Sequence, residues 1–264
     1  MAENTARRLE SDMPGPSGRN PDIPSAPAWG RTPSRPAKPS RRRESLSHTV
    51  IVNAAIELLD RDGLDALSMR RVAEELGIGA ASLYWHVGSK DGLLDLVLDQ
   101  VVGETKIPEP EPDRWRDQLK DIARSQRATS LRHPWFVRVA VGRIPMGPNS
   151  LRHSEHVLAI LRAAGIPAHV AVQAYLLLVS AVNGFTIDET GVEDSPNVID
   201  LPRDGESRQH AAEAARDYFA ALPPSQFPNM TDLADEFAQA DPDERFELLI
   251  DTFVDGLARH AVTS

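Results

Sequence analysis

The spacing of apolar residues over 46–102 predicts a run of helices. These residues recur at intervals of three and four, which places them on one face of a helix. A first helix from Leu46 ends at Gly63, because glycine readily takes the left-handed conformation that closes a helix. Ser68 is a candidate N-cap for a second helix, which Gly77 ends.

A short third helix, AASLYWHV (80–87), follows the glycine turn, and Ser89 can cap a fourth helix that starts near Lys90. Two short helices around a tight turn, braced by a longer helix, are typical of a helix-turn-helix. In that unit the second short helix enters the major groove of DNA. The pattern therefore predicts a DNA-binding unit in this part of the chain.

The third helix carries three consecutive large side chains that cannot share one face. Leu83 and Val87 are one helical turn apart and anchor the helix. Tyr84, Trp85 and His86 are direct neighbours, and neighbours point about 100° apart. At least two of them must face away from the packed side, although each taken alone could equally be a core or surface residue. The candidate DNA contacts are Arg70, Arg71, Ala80, Ala81, Ser82, Tyr84, Trp85, His86 and Lys90.

The remainder of the chain also has a helical pattern. Helices are predicted over about 114–132, from Pro134 onward, and over 150–164 and 168–184. The last of these is apolar nearly all round, so we expect it to be buried on several sides. Residues 188–207 are acidic and contain glycine and proline, which predicts a loop.

A regular apolar stripe near the end of the sequence predicts one more helix. Together with the helix over 168–184 it could form a four-helix interface with a second copy of the chain. The alternative is that both helices pack only within one chain. The candidate dimerisation residues are Phe246, Leu249, Ile250, Phe253 and Leu257.

Small-molecule pockets combine apolar walls with a few polar groups, and several residues of the C-terminal part qualify by position. His153 and His156 are three residues apart and could share a metal ion, but no third ligand is in view. We therefore expect a solvated histidine pair and no metal. The candidate ligand-binding residues are Trp135, Phe136, Arg143, Met146, Gln173, Asn183 and Phe185.

Charge is unevenly distributed along the 264 residues. The net charge of −10 argues against a generally cationic nucleic-acid binder. Residues 1–43 nevertheless hold nine basic and four acidic residues with eight of the 21 prolines, and we expect this basic tail to be disordered. The arginines at 41–43 either hold a phosphate backbone or are simply solvated.

The sequence carries no motif of a secreted protein, a membrane protein or a common class of enzyme. The absence of cysteine excludes disulfides and cysteine-ligated zinc. The N-terminus has no apolar signal region, and the apolar run Val170–Val182 is shorter than the roughly 20 residues of a membrane helix. No glycine-rich phosphate loop, zinc-protease motif or nucleophile motif is present. We expect a cytoplasmic protein with no membrane partner, no cofactor and no catalytic residues.

Residues 45–102 resemble the N-terminal DNA-binding domain of the Tet repressor family. The resemblance is carried by AAIELLDRDGLDALSMRRVAEELGIGAASLYWHVGSKDGLL (54–94), above all by LYWHV and by Lys90 with the two leucines after it. RVAVGRIPMGP (138–148) and LLLVSAVNGFTIDE (176–189) resemble, more weakly, segments of the ligand-binding core of tetracycline repressors.

The resemblance implies an all-α homodimer. Its N-terminal three-helix helix-turn-helix domain would bind a palindromic double-stranded DNA operator, and a larger C-terminal helical domain would bind a small-molecule inducer and form the dimer. Binding of the inducer would release the DNA. Arg70, Ser82, Tyr84, Trp85, His86 and Lys90 match DNA-contact positions of the family.

Three departures from the family pattern change the expected partners. Tetracycline repressors carry Gln-Pro where this chain has Ala80 and Ala81, so a bidentate base reader is lost and the operator should differ. Histidines of tetracycline repressors are replaced here by Ala140 and Gly184. We therefore expect an inducer other than magnesium–tetracycline, and no bound metal.

The expected division is a tail over 1–43, a DNA-binding domain over 44–104 and a ligand-binding and dimerisation domain over 105–264. The leading function is a ligand-responsive repressor. An activator, a regulator that responds to no ligand, and a small-molecule-binding module whose DNA-binding helix has decayed remain as alternatives.

Overall fold

The computed structural model describes residues 47–190 and 205–261. All regular secondary structure in these two stretches is helical, as the apolar pattern predicts. A single 3-10 turn (Pro112–Arg114) precedes α5. The helices are α1 (His48–Asp62), α2 (Met69–Glu75), α3 (Ala80–Val87), α4 (Lys90–Val102), α5 (Trp115–Arg132), α6 (Phe136–Ala140), α7 (Pro148–Ala163), α8 (Ala168–Thr190), α9 (Gly205–Ala220), α10 (Pro228–Asp232), α11 (Ala234–Gln239) and α12 (Pro242–Ala258).

Serine caps fix the starts of α1, α2 and α4. The side chains of Ser47, Ser68 and Ser89 each accept a hydrogen bond from the backbone N–H three residues further on. Gly63 ends α1 at a φ of 78°, and its N–H donates to the carbonyl of Leu59. The predicted caps at Ser68 and Ser89 and the predicted end at Gly63 are confirmed.

Two hydrophobic cores hold α1 to α8 and α12 together. The first is built from α1 to α4, and it also takes in Phe136 and Val139 of α6. The second joins α5, α7, α8 and α12. Because α6 belongs to the first core, the packing does not divide at the expected boundary between residues 104 and 105. A movement of α6 would therefore change the packing of the helix-turn-helix directly.

Helix α8 is longer than the sequence pattern predicts, since it continues to Thr190. By length and composition alone it could cross a membrane, so the apolar helix is longer than the run Val170–Val182 suggested. Core helices of water-soluble proteins pass the same test. Here one side of α8, including Leu178 and Val182, is buried against neighbouring helices.

Two predicted segments lie wholly or partly outside the described residues. The basic tail over 1–43, with the arginines at 41–43, is one of them. The other is the acidic loop predicted over 188–207. The part of it that is described is helical, because α8 runs to Thr190 and α9 begins at Gly205.

Candidate DNA interface and ligand cavity

Helix α3 is held against the first core by the two residues predicted to anchor it. Leu83 is fully buried and Val87 nearly so. Gly79 and Gly88 flank the helix, and Gly88 has a φ of 76°, a conformation that side-chain-bearing residues rarely adopt. The helix is thus fixed on one side, and its other side is free to meet a partner.

The free side of α3 carries the aromatic residues that the sequence singles out. Trp85 is 69% exposed and Tyr84 is 49% exposed, so neither residue is part of the packed core. Ser82 and Ala81 are also exposed, while Ala80 is half-buried at the edge of the first core. Lys90 is exposed in the first turn of α4. Small residues at the start of α3 allow a close approach to a groove.

His86 is half-buried beside this surface. Its ring meets the Trp85 ring edge to face at 4.8 Å, and its backbone carbonyl lies 3.2 Å from the Nε2 atom of His48. Burial, and secondarily the charge of His48, lowers the pKa of His86 below its ordinary value. The neutral imidazole is therefore favoured, which can both donate and accept a hydrogen bond.

The two arginines of α2 differ in what they bind. Arg70 is exposed, and its Nε atom donates to Glu74 at 2.8 Å. Arg71 is paired with Asp62 and also donates to the carbonyl of Ala66 at 3.3 Å. The guanidinium of Arg71 thus braces α2 against the end of α1. This makes a structural role, rather than a DNA contact, the one that its geometry supports.

A cavity lies where α4, α5, α6, α7 and α8 meet. The volume of the cavity is about 60 Å³. With the space at its open mouth included, the volume is about 520 Å³. Its walls combine apolar and uncharged polar groups, as small-molecule sites do. The lining residues are Val102, Thr105, Gln126, Thr129, Phe136, Ala140, Pro145, Ser150, His153, Tyr175, Val179 and Asn183.

Two of the seven predicted ligand-binding residues, Phe136 and Asn183, line this cavity. Gln173 and Met146 are exposed to solvent instead. Arg143 forms ion pairs with acidic residues of α4.

Trp135 and Phe185 pack elsewhere. The indole Nε1 of Trp135 donates to Asp60 at 2.6 Å, which ties α6 to α1. Phe185 packs edge-on against Phe246, with the guanidinium of Arg127 over both rings. Both side chains thus pack against partners that are distant in the sequence, and they do not line the cavity.

The expectation of a solvated histidine pair is wrong for His153. Its side chain is buried and lines the cavity, whereas His156 is half-buried outside it. Burial, and secondarily the charge of His156, lowers the pKa of His153 to about 4. The imidazole is therefore neutral at physiological pH. No group of three His, Cys, Asp or Glu side chains that could hold a metal occurs in the described residues.

A buried carboxylate links the cavity to α4. Asp99 of α4 accepts hydrogen bonds from the N–H and the hydroxyl of Ser150, both at 2.9 Å, and from the N–H of Asn149. It thus satisfies the start of α7, where the N-cap residue Gly147 has no side chain to do so. A Cβ atom on Gly147 would lie 2.1 Å from Asp99, so only glycine fits there. Ser150 is at once a wall of the cavity and a partner of α4.

The predicted dimerisation stripe packs to a large extent within its own chain. Phe246, Ile250 and Leu257 fill the second core of their own chain, and Leu249 and Phe253 are half-buried against that core. A regular stripe marks the face that is buried, and here the burial is within one subunit. The outer face of α8 also carries exposed apolar side chains, at Val172, Leu176 and Leu177.

Most of the polar cavity residues were missed by reasoning from sequence. Gln126 of α5 and Ser150 and His153 of α7 are polar positions on helix faces that also bury apolar residues. A polar residue on the buried face of an amphipathic helix is the one signal that could have found them. That signal does not say which helices meet at the cavity.

Comparison with known proteins agrees with this architecture. Residues 51–97 match the family described as bacterial regulatory proteins, tetR family, and residues 107–261 match the tetracyclin repressor-like C-terminal domain. An HTH-type transcriptional regulator of Saccharopolyspora erythraea is 45% identical over 149 residues, which are 54% of this chain and 63% of that protein. The match thus spans less than two thirds of that relative's length.

Two further proteins match over most of their length. The class A tetracycline repressor of transposon 1721, from Escherichia coli, is 30% identical and is matched over 81% of this chain and 91% of the repressor. The crystal structure of the Streptomyces coelicolor TetR family protein ActR in complex with actinorhodin superposes with a TM-score of 0.74 at 38% identity, over 83% of this chain and 99% of ActR. These relatives are regulators of transcription and not enzymes. The chain therefore belongs to the tetR family of bacterial regulatory proteins.

Proposed function

We propose that this protein is a ligand-responsive transcriptional repressor that binds a palindromic operator as a homodimer in the cytoplasm. The observation that carries the proposal is the exposed surface of α3, where Tyr84 and Trp85 face outward from a helix whose other side is fixed. An aromatic pair this exposed lowers solubility unless it has a partner. In a helix-turn-helix the partner at this position is the major groove of DNA.

The chemistry of the α3 surface suits phosphate and base contacts. The Tyr84 hydroxyl, the Ser82 hydroxyl and the Lys90 ammonium group can donate to phosphate oxygens. The neutral His86 ring can read a base edge as donor or acceptor. Arg70 is exposed enough to exchange its ion pair with Glu74 for a phosphate. We leave Arg71 out of this contact set because it is engaged within the chain.

The outer face of α8 is the proposed site of dimerisation. Val172, Leu176 and Leu177 are exposed at helical spacing, and Ser180 and Gly184 continue the same face with small side chains. Small residues allow two helices to approach closely. This face also accounts for the composition of α8, which is apolar on the side away from its own core. A second copy would bury it without any membrane.

The cavity offers a physical route from a ligand to the DNA-binding helices. Its walls include Val102 at the end of α4 and Phe136 and Ala140 of α6. Ligand pockets have volumes of roughly 300–1,000 Å³, whereas this cavity has a volume of about 60 Å³ without its open mouth. A ligand must therefore widen the cavity and push these walls apart. Because α4 and α6 share the first core with α3, the push would change the separation of the two α3 helices in the dimer and weaken operator binding by about 1–3 kcal/mol.

The inducer is a small molecule other than magnesium–tetracycline. Ala140 lies in the cavity wall and offers no ligand to a metal. Gly184 lies on the exposed face of α8 and offers none either. The ActR complex supports a small-molecule site in a chain of this shape, since that relative was crystallised with actinorhodin.

A reporter gene placed behind the DNA upstream of this protein's own gene tests the proposal. Wild-type protein should lower expression, and Tyr84→Ala should restore it. Tyr218→Ala is the control, because Tyr218 is also an exposed tyrosine but lies on α9, outside the helix-turn-helix. Expression raised by wild-type protein would identify an activator instead. Equal expression with wild-type protein and Tyr84→Ala would contradict DNA binding through α3.

A further inference from the structure

The polar groups around the cavity do not satisfy one another. The His153 ring has no hydrogen-bond partner among the described residues, although the residue is only 7% exposed. The Nε2 atom of Gln126 donates to the Oδ1 atom of Asn183 at 3.1 Å, which leaves the side-chain carbonyl of Gln126 and the side-chain N–H groups of Asn183 for a further partner. Buried polar groups are normally paired. These groups therefore point to a bound molecule or to water that stands in for one.

Most other polar side chains of the cavity wall are paired, and the exception among the described residues is the buried Thr105, whose hydroxyl has no hydrogen-bond partner. The Tyr175 hydroxyl lies 2.6 Å from the hydroxyl of Ser154, and Ser150 is bonded to Asp99. Thr129 accepts from the guanidinium of Arg132 at 3.2 Å. The unsatisfied groups of Gln126, His153 and Asn183 thus come from α5, α7 and α8. The wall also contains apolar residues, with Phe136, Pro145 and Val179 among them.

None of the twelve lining residues carries a formal charge under physiological conditions. The wall contains no Asp, Glu, Lys or Arg, and burial keeps the pKa of His153 at about 4. An ion that enters such a cavity loses its hydration and gains no opposite charge, which is strongly unfavourable. A neutral molecule with hydrogen-bonding groups suffers no such penalty, because the unpaired groups of the wall replace its bonds to water.

We propose that the cavity selects electrically neutral ring compounds that carry both a hydrogen-bond donor and an acceptor, and that His153 is the residue that reads this polar group. The inference rests on the proposed function and deepens it, since it names the chemical class of the inducer. The ring of the ligand lies against Phe136 and Val179. Its polar end meets the imidazole of His153, the carbonyl of Gln126 and the amide of Asn183.

Four compounds of one ring size and different charge test this selection. We would measure the binding of 2-naphthol, 2-naphthamide, 2-naphthoate and 2-naphthylmethylammonium to the full-length protein at neutral pH, by calorimetry and ligand-observed NMR. The two neutral compounds should bind at least tenfold more tightly than the two ions. Equal or tighter binding of either ion would overturn the inference, and so would the absence of binding by all four.

Two variants of His153 test its role as the reader. His153→Phe keeps a ring but removes both nitrogens, and it should weaken 2-naphthamide binding about fivefold, the usual size of one lost hydrogen bond. His153→Gln keeps a neutral polar group and should restore most of the affinity. His156→Gln is the matched control on the same helix and should bind as wild type, because His156 does not line the cavity.

Circular dichroism of each variant checks that it is folded, so that a loss of binding is not a loss of structure. If His153→Phe binds 2-naphthamide as tightly as wild type, the assignment of His153 is refuted. Failure of the proposed function would show differently, as an absence of operator binding by the wild-type protein, whatever the four compounds do.

Discussion

The buried imidazole of His153 should make the protein less stable in mild acid. Burial lowers the pKa of His153 from 6.5 to about 4, so the unfolded chain takes up a proton at higher pH than the folded chain. Folding stability is therefore complete above about pH 6.5 and is lost as the pH falls towards 4. The full loss is about 3 kcal/mol, since one pKa unit corresponds to about 1.4 kcal/mol. At pH 5 about 2 kcal/mol of this has been lost.

Urea unfolding at pH 7.5 and pH 5, at one protein concentration, measures this contribution. Carboxylates elsewhere in the chain also respond to acid, so the comparison is with His153→Gln, which cannot take up the proton. Between the two pH values the wild type should lose about 2 kcal/mol more than His153→Gln. His156→Gln retains the buried imidazole and should behave as the wild type. An equal loss in wild type and His153→Gln would show that His153 is not held neutral by burial, and the reasoning would fail.

Two substitutions test the joint between α4 and α7 and the outer face of α8. Gly147→Ala places a Cβ atom 2.1 Å from Asp99, so the carboxylate must leave the start of α7, and urea unfolding should show a loss of about 2 kcal/mol. Gly256→Ala on α12, with nothing within 4 Å of its new Cβ, is the control, and an equal loss in both would contradict the role of Asp99. Leu176→Glu should convert a dimer into a folded monomer in analytical ultracentrifugation, whereas Tyr218→Glu should not. A dimer that survives Leu176→Glu would place the interface elsewhere.

The helix-turn-helix could be predicted from sequence because its signals are local. Ser68 and Ser89 cap the helices that follow them, and the interval between Leu83 and Val87 defines the buried side of α3. The outward position of Trp85 then follows from helix geometry alone. None of these inferences requires knowledge of a residue that is distant in the sequence.

The cavity could not be predicted in the same way, because it is assembled from five helices. Trp135 was a reasonable ligand contact until the structure showed its indole bonded to Asp60, which is 75 residues away. His153 was expected in solvent because nothing in its own helix shows that α5 and α8 cover it. Long-range packing decided both positions.

The dimerisation stripe shows a different limit. The periodicity of Phe246, Ile250 and Leu257 correctly indicates a buried face on α12. Periodicity does not indicate whether the covering surface belongs to the same chain or to another. The exposed residues of α8 escaped notice because that helix is apolar on nearly every side, which hides the boundary between its inner and outer faces.

The most direct test of the account is fluorescence anisotropy of the purified protein on DNA from its own upstream region, compared with random DNA over a series of salt concentrations. The account predicts a clear preference for the upstream DNA, affinity that falls steeply as salt rises, and a loss of that preference in Tyr84→Ala. Equal affinity for upstream and random DNA would contradict the claim that α3 reads an operator in that region.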